Sequence, residues 1–147
     1  MEGLEKFART LRALSAESKA ALQAETTRAA AEMVTLARAL VPVKSGRLRD
    51  SIVASSGPPP AHAQFAGGGR SEIATHVTSG NTGARHSALV EHGTKPHTVD
   101  GKFKGARHPG SEPHPYFFPA YRAQKRAFSR RMNKAMRAVA RRHAEGG

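Results

Sequence analysis

Two prolines constrain the fold of this chain more than any other feature. The residue before a proline is disfavoured in helical geometry, so a helix-patterned segment ends at about Val41, ahead of Pro42. Proline suits the first helical position, so a second segment opens at Pro119 and runs to about His143. Two helices must therefore bracket a middle of short, turn-rich elements.

Ahead of Pro42, Leu4, Phe7, Leu11 and Leu14 recur at spacings of three and four, which predicts a short amphipathic helix over 3–14. Ser15 and Ser18 interrupt that pattern. A longer helix then carries Leu22, Ala29, Met33, Leu36 and Leu40 on one stripe. Beyond Pro119, Tyr121, Phe128, Met132, Met136 and Val139 lie on one side, and Arg126, Arg130, Lys134, Arg137 and Arg141 on the other. No acidic residue interrupts the stretch from Tyr121 to Ala144.

In the middle, a turn on Gly46 leads to an expected strand over 48–54. Residues 57–70 hold Pro58, Pro59, Pro60, Gly67, Gly68 and Gly69, which is loop chemistry. Alternation of Ile73, Thr75 and Val77 with Glu72, Ala74 and His76 predicts a half-buried strand over 71–78. Ala88, Leu89 and Val90 fit a strand or a short helix, and a helical turn ending at Gly93 is favoured. Asp100-Gly101 has the chemistry of a tight hairpin turn, which suggests a β-hairpin arm. The expected fold is α+β in one domain spanning 1–147. A small, mostly antiparallel sheet packs on the long N-terminal-half helix and the C-terminal amphipathic helix, with mobile insertions at about 57–70 and 95–112.

A chain of 147 residues fits one core, since it buries roughly 70% of its unfolded surface. Aromatic residues make up 5% of it, so that core must lean on Leu, Val, Ala and Met. The net charge of +13 favours anionic partners, whether nucleic acid, acidic protein or membrane surface, without choosing among them. With no cysteine, disulfides, thiolate metal sites and cysteine nucleophiles are excluded. The first 14 residues lack the continuous apolar core of a signal peptide, and no run reaches the 18 or more apolar residues of a membrane span. A soluble protein, without a cleaved signal or a membrane partner, is the expectation.

Glu91, His92, His97, His108, Glu112 and His114 are metal-capable residue types, but none of them forms a zinc pattern such as His-Glu-x-x-His. Solvated loop histidines are expected, with no cofactor. Gly67-Gly68-Gly69-Arg70 lacks the strand-loop-helix setting of a phosphate cradle. There is no nucleophile elbow and no carboxylate pair at a defined spacing, so no enzyme activity is expected. The basic helix face is read as meeting DNA phosphates or an acidic neighbouring subunit, against the plainer reading of a solvated face.

Two stretches carry a family resemblance. The first is Ala37-Arg38-Ala39-Leu40-Val41-Pro42-Val43-Lys44-Ser45-Gly46-Arg47-Leu48-Arg49-Asp50-Ser51-Ile52. The second is Ala88-Leu89-Val90-Glu91-His92-Gly93-Thr94, followed by His114-Pro115-Tyr116-Phe117-Phe118-Pro119-Ala120. Together they resemble the tailed-bacteriophage head-to-tail joining family of the gene-product-ten type, over about 29–143. Ser45 stands where that family usually has Thr, Tyr116 where it usually has Phe, and the 94–113 insertion is longer than usual. On this resemblance Pro42, Gly46, Leu48, Ser51, Glu91, Gly93, Thr94, Pro115, Phe117 and Pro119 are the motif residues, with fold maintenance as their expected role. The resemblance also implies a virion protein of the head–tail junction, assembled in the host cytoplasm and joining head to tail. Its partners would be further copies of itself in a ring, sixfold as first expectation and twelvefold as second, together with head-connector and tail proteins and non-specific contacts to packaged DNA. The rival is a free-standing basic nucleic-acid-binding protein, supported by charge but by no recognised motif. A gene position between capsid and major tail genes would separate the two.

Overall fold

A computed structural model describes residues 2–57 and 73–145, without the side chains of residues 2–4, 6–11 and 14. The stripe of Leu4, Phe7, Leu11 and Leu14 lies outside those described side chains. The loop expected at 57–70 falls, beyond Gly57, outside the described residues, as does Gly67-Gly68-Gly69-Arg70.

Helix α1 runs unbroken over Glu2–Leu40, so the expected division at Ser15 and Ser18 is not found. Serine costs a helix interior only about 0.5 kcal/mol, and neither glycine nor proline intervenes between Leu4 and Val41. The helix is roughly 58 Å long at 1.5 Å per residue. Helix α2 (Arg47–Asp50) follows where a strand was expected to begin, and strand β1 starts later, at Val53–Ser56. Leu48 and Ile52 are 6% and 0% exposed and Ser51 is buried beside them, whereas Asp50, which a strand would place on the same face as Leu48 and Ile52, is exposed. The turn is hydrogen-bonded accordingly, from Asp50 N–H to the Gly46 carbonyl and from Ser51 N–H to the Arg47 carbonyl.

Strand β2 (Thr75–Thr78) pairs with β1. Helix α3 (Ser87–His92) ends at Gly93, as the sequence predicts. Strands β3 (His97–Thr98) and β4 (Arg107–His108) pair antiparallel, with His97 opposite His108 and Thr98 opposite Arg107. A 3-10 turn at Gly101–Phe103 lies between them, so the hairpin exists but closes through 99–106 and not through a two-residue Asp-Gly turn. A further bridge joins Thr94 and Ser111. Pro96 and Pro109, which have no N–H to give a ladder, separate it from the β3–β4 pair. Helix α4 spans Phe117–Glu145, beginning two residues before the predicted Pro119. The fold is α+β, and none of the helices among the described residues is long and apolar enough to cross a membrane.

The chain divides into two compact units. The first comprises Met1–Glu32, Ala54–His76 and Ala123–Gly147, and the second Met33–Val53 and Val77–Arg122. In the first, Ala30 and Val139 are buried, and the Gln23 amide hydrogen-bonds the Thr75 hydroxyl at 3.4 Å. The second holds the main apolar cluster of Met33, Ala37, Val41, Leu48, Ile52, Ala84, Tyr116 and Ala120, with Val34, Leu36, Val77, Val90 and Phe117 packed against it. Met33, Ala37 and Val41 recur every four residues, whereas Leu40, placed on the stripe by the sequence, is 47% exposed. The buried face is thus turned toward the small residue Ala37, which lets packed backbones approach more closely than a leucine would.

Candidate functional site

Both resemblance stretches contribute to the apolar cluster of the second unit, and the two parts of the second stretch are joined by the Glu91 carboxylate. Helix α4 opens with backbone N–H groups that have no acceptor within the helix. The Glu91 carboxylate takes three of these donors, from Tyr116 and Phe117 at 2.8 Å each and from Phe118 at 3.1 Å. Pro119 has no N–H to satisfy, and Ala120 N–H already reaches the Tyr116 carbonyl at 3.3 Å. Every donor of the first turn is therefore matched or absent. A carboxylate at a helix N-terminus is also favoured by the helix dipole. Glu91 itself is 6% exposed, so this cap works away from competing water.

The residues beside Glu91 hold it in register. His114 N–H donates to the Val90 carbonyl at 2.8 Å, and Thr94 exchanges backbone bonds with Ser111. Between them Gly93 has φ of 68°. A Cβ there would lie 2.6 Å from the Ser111 carbonyl oxygen and 2.8 Å from Pro113 N, so only glycine fits the passage. Tyr116, fully buried, places its hydroxyl 2.6 Å from Ser79 Oγ and 2.9 Å from Ser87 Oγ, and these serines are 3.0 Å apart. Ser51, also buried, accepts from Gly80 N–H and donates to the Leu48 carbonyl. Gly46, at φ of 80°, starts α2 in the left-handed region and so turns the chain into that helix.

The first unit displays the basic side of α4. Arg126, Arg130, Lys134, Arg137 and Arg141 are all exposed and fall within a sector of roughly 80° at 3.6 residues per turn. None of the five forms an ion pair with a described residue. Arg131 lies on the flank and behaves differently, donating to Glu25 at 3.1 Å and to Glu32 at 2.8 Å. Arg142 approaches Glu17 at 3.6 Å.

His86, His97, His108 and His114 line one open groove of about 380 Å³ with Leu89, Val90, Thr94, Ser111 and Glu112. Among the described residues no three histidine or carboxylate groups converge closely enough to hold a metal ion.

Residues 5–93 match the HK97-gp10-like family, described as "Bacteriophage HK97-gp10, putative tail-component". The chain belongs to the HK97-gp10-like family. No curated protein and no solved structure matches it. The family match includes the Gly46 to Ser51 turn and both Glu91 and Gly93, and it stops before the Pro115 to Pro119 stretch that Glu91 caps.

The motif residues separate by position. Leu48, Ser51 and Glu91 are buried, Phe117 and Pro119 are half-buried, and Pro42 and Pro115 are exposed. Tyr121, expected on the packed side of α4, is 45% exposed. Sequence reasoning missed Arg131, because a basic residue flanking a basic stripe gives no sign that two acids on another helix await it. It also missed the Ser79, Ser87 and Tyr116 hydroxyl cluster, whose members are far apart in sequence.

The Arg131 pairing has a measurable consequence. Burial raises the Glu32 titration, but hydrogen bonds and charge from Arg28 and Arg131 outweigh it and hold the carboxyl below the usual carboxylate range. A lowered native value means stabilisation that is complete above the unfolded carboxylate range and is lost as pH falls through the native value. Arg131→Gln is expected to lower the thermal midpoint at neutral pH, by a margin that shrinks in acid and in high salt. Melting curves of both proteins across pH check this, and a margin independent of pH would refute the pairing as its source.

Proposed function

We propose that this chain is a structural subunit of the head-to-tail junction of a tailed phage, with no catalytic role. It assembles in the host cytoplasm and resides in the virion. Further copies join through repeated head-to-tail contacts that close by rotation into a ring, sixfold first and twelvefold second. Head-connector and tail proteins are its neighbours, and packaged DNA passes close to it.

Membership in a phage tail-component family carries this reading. The α4 face supports it as the contact surface: five exposed cations without an interspersed acid favour an acidic neighbouring subunit. The test changes Arg130, Lys134 and Arg137 together to Gln, leaving Phe128, Met132, Met136 and the Arg131 pair intact, and images the particles. Separate heads and tails with a folded subunit are expected. Normal joining with impaired DNA retention would instead make the face a channel lining. Normal behaviour in both respects would leave the face a solvated helix surface and remove the contact from the proposal.

A further inference from the structure

The β3–β4 hairpin has a chemistry that the joining role does not use. Every residue from Gly101 to Pro109 is exposed, so this part of the hairpin stands clear as an arm. Internal bonds shape it: Val99 N–H to the Ala106 carbonyl at 2.8 Å, Lys104 N–H to Gly101 at 3.1 Å, and Ala106 N–H to Phe103 at 3.1 Å. The His97 and His108 rings stack across its base with centroids 5.1 Å apart. At the turn Phe103 is 68% exposed, the most exposed of the large apolar side chains described. Lys102 and Lys104 flank it, and Arg107 follows on β4. None of these three cations forms an ion pair with a described residue.

A second copy of the chain is a poor partner for such an arm. The sequence carries 24 Lys and Arg against 11 Asp and Glu. Of the acids, Glu17, Glu25, Glu32 and Asp50 are engaged in ion pairs and Glu91 is buried under α4. With a net charge of +13, another copy meets the arm with like charge overall. An acidic protein would match the charge but would need an apolar pocket for one isolated ring, and the adjacent glycines Gly101 and Gly105 add no apolar area around it. One aromatic face between two cations suits a base stacked on the ring with phosphates on either side.

We propose that this hairpin is a DNA-contacting arm, in which Lys102, Lys104 and Arg107 meet phosphates without sequence preference and Phe103 stacks on an unpaired base. The arm is distinct from the basic face of α4, and the inference stands whether or not the subunit joins heads to tails.

The test is fluorescence anisotropy of a short labelled DNA single strand and of its duplex, titrated with the full chain across a salt series. Circular dichroism confirms that the variants stay folded, which exposed positions favour. Changing Lys102, Lys104 and Arg107 together to Gln is expected to weaken both complexes. It also reduces the slope of log affinity against log salt by about 2 for the single strand, as loss of three phosphate contacts requires. Phe103→Ala is expected to weaken the single strand by about tenfold and the duplex by less, because stacking needs an unpaired base. An unchanged salt slope in the triple variant, or unchanged single-strand affinity in Phe103→Ala, overturns the proposal. So does retained DNA binding in variants that lose binding to polyglutamate, which would make the partner an acidic protein.

Discussion

Replacement of Glu91 by alanine is expected to destabilise the protein by about 2–4 kcal/mol, more than an ordinary helix cap. The usual cap satisfies one donor, whereas this carboxylate accepts from Tyr116, Phe117 and Phe118 together. Alanine leaves three N–H groups facing a site where Glu91 was 6% exposed, so water cannot replace the lost acceptors without entering the core. Glutamine should recover part of the loss, since it keeps one acceptor oxygen and turns an amide NH2 toward groups that are themselves donors. The order expected in urea denaturation is therefore wild type, then Glu91→Gln, then Glu91→Ala. Hydrogen exchange localises the effect, with faster exchange at Tyr116, Phe117 and Phe118. A Glu91→Ala protein with unaltered protection at these amides would show that the helix start is held by packing alone.

The Glu91 arrangement also shows how far the sequence could be read. Pro42 and Gly93 mark their boundaries directly, because each acts through its own backbone geometry, and the end of α1 and the end of α3 follow from them. The existence of α4 was legible from its two-faced pattern, but its first residue was not. Proline is tolerated throughout the first turn, where N–H groups lack helical acceptors anyway, so Pro119 alone does not say whether it is the first residue or the third. That choice is made by Glu91, 26 residues before Phe117 in sequence.

A similar limit applies at Leu48. Its local pattern suits a strand, and only the position of the core, which takes Leu48, Ser51 and Ile52 and leaves Asp50 exposed, selects the helical turn. The basic side of α4 looked uniform in sequence for the same reason. Charge type was visible, but the difference between exposed Arg130 and paired Arg131 depends on Glu25 and Glu32 of α1.

Tyr116 allows the ring and the hydroxyl to be measured separately. Tyr116→Ala is expected to cost about 3–5 kcal/mol, the range for removing a large buried aromatic ring and leaving a cavity. The ring is fully buried in the cluster of the second unit and meets Phe117 edge-on, with centroids 6.5 Å apart. Against a total stability of roughly 5–15 kcal/mol for a native domain, that loss would leave the variant marginally folded. Tyr116→Phe keeps the ring and removes the hydroxyl. It should cost about 1 kcal/mol, at the low end for a buried hydrogen-bonding group, because Ser79 and Ser87 lie 3.0 Å apart and can still bond each other. Denaturation midpoints and the near-ultraviolet circular dichroism of both variants decide the partition. If Tyr116→Phe were as damaging as Tyr116→Ala, the hydroxyl cluster would be the main support and the ring secondary. If Tyr116→Phe were as stable as wild type, the two serines would satisfy each other fully and the tyrosine hydroxyl would contribute nothing net.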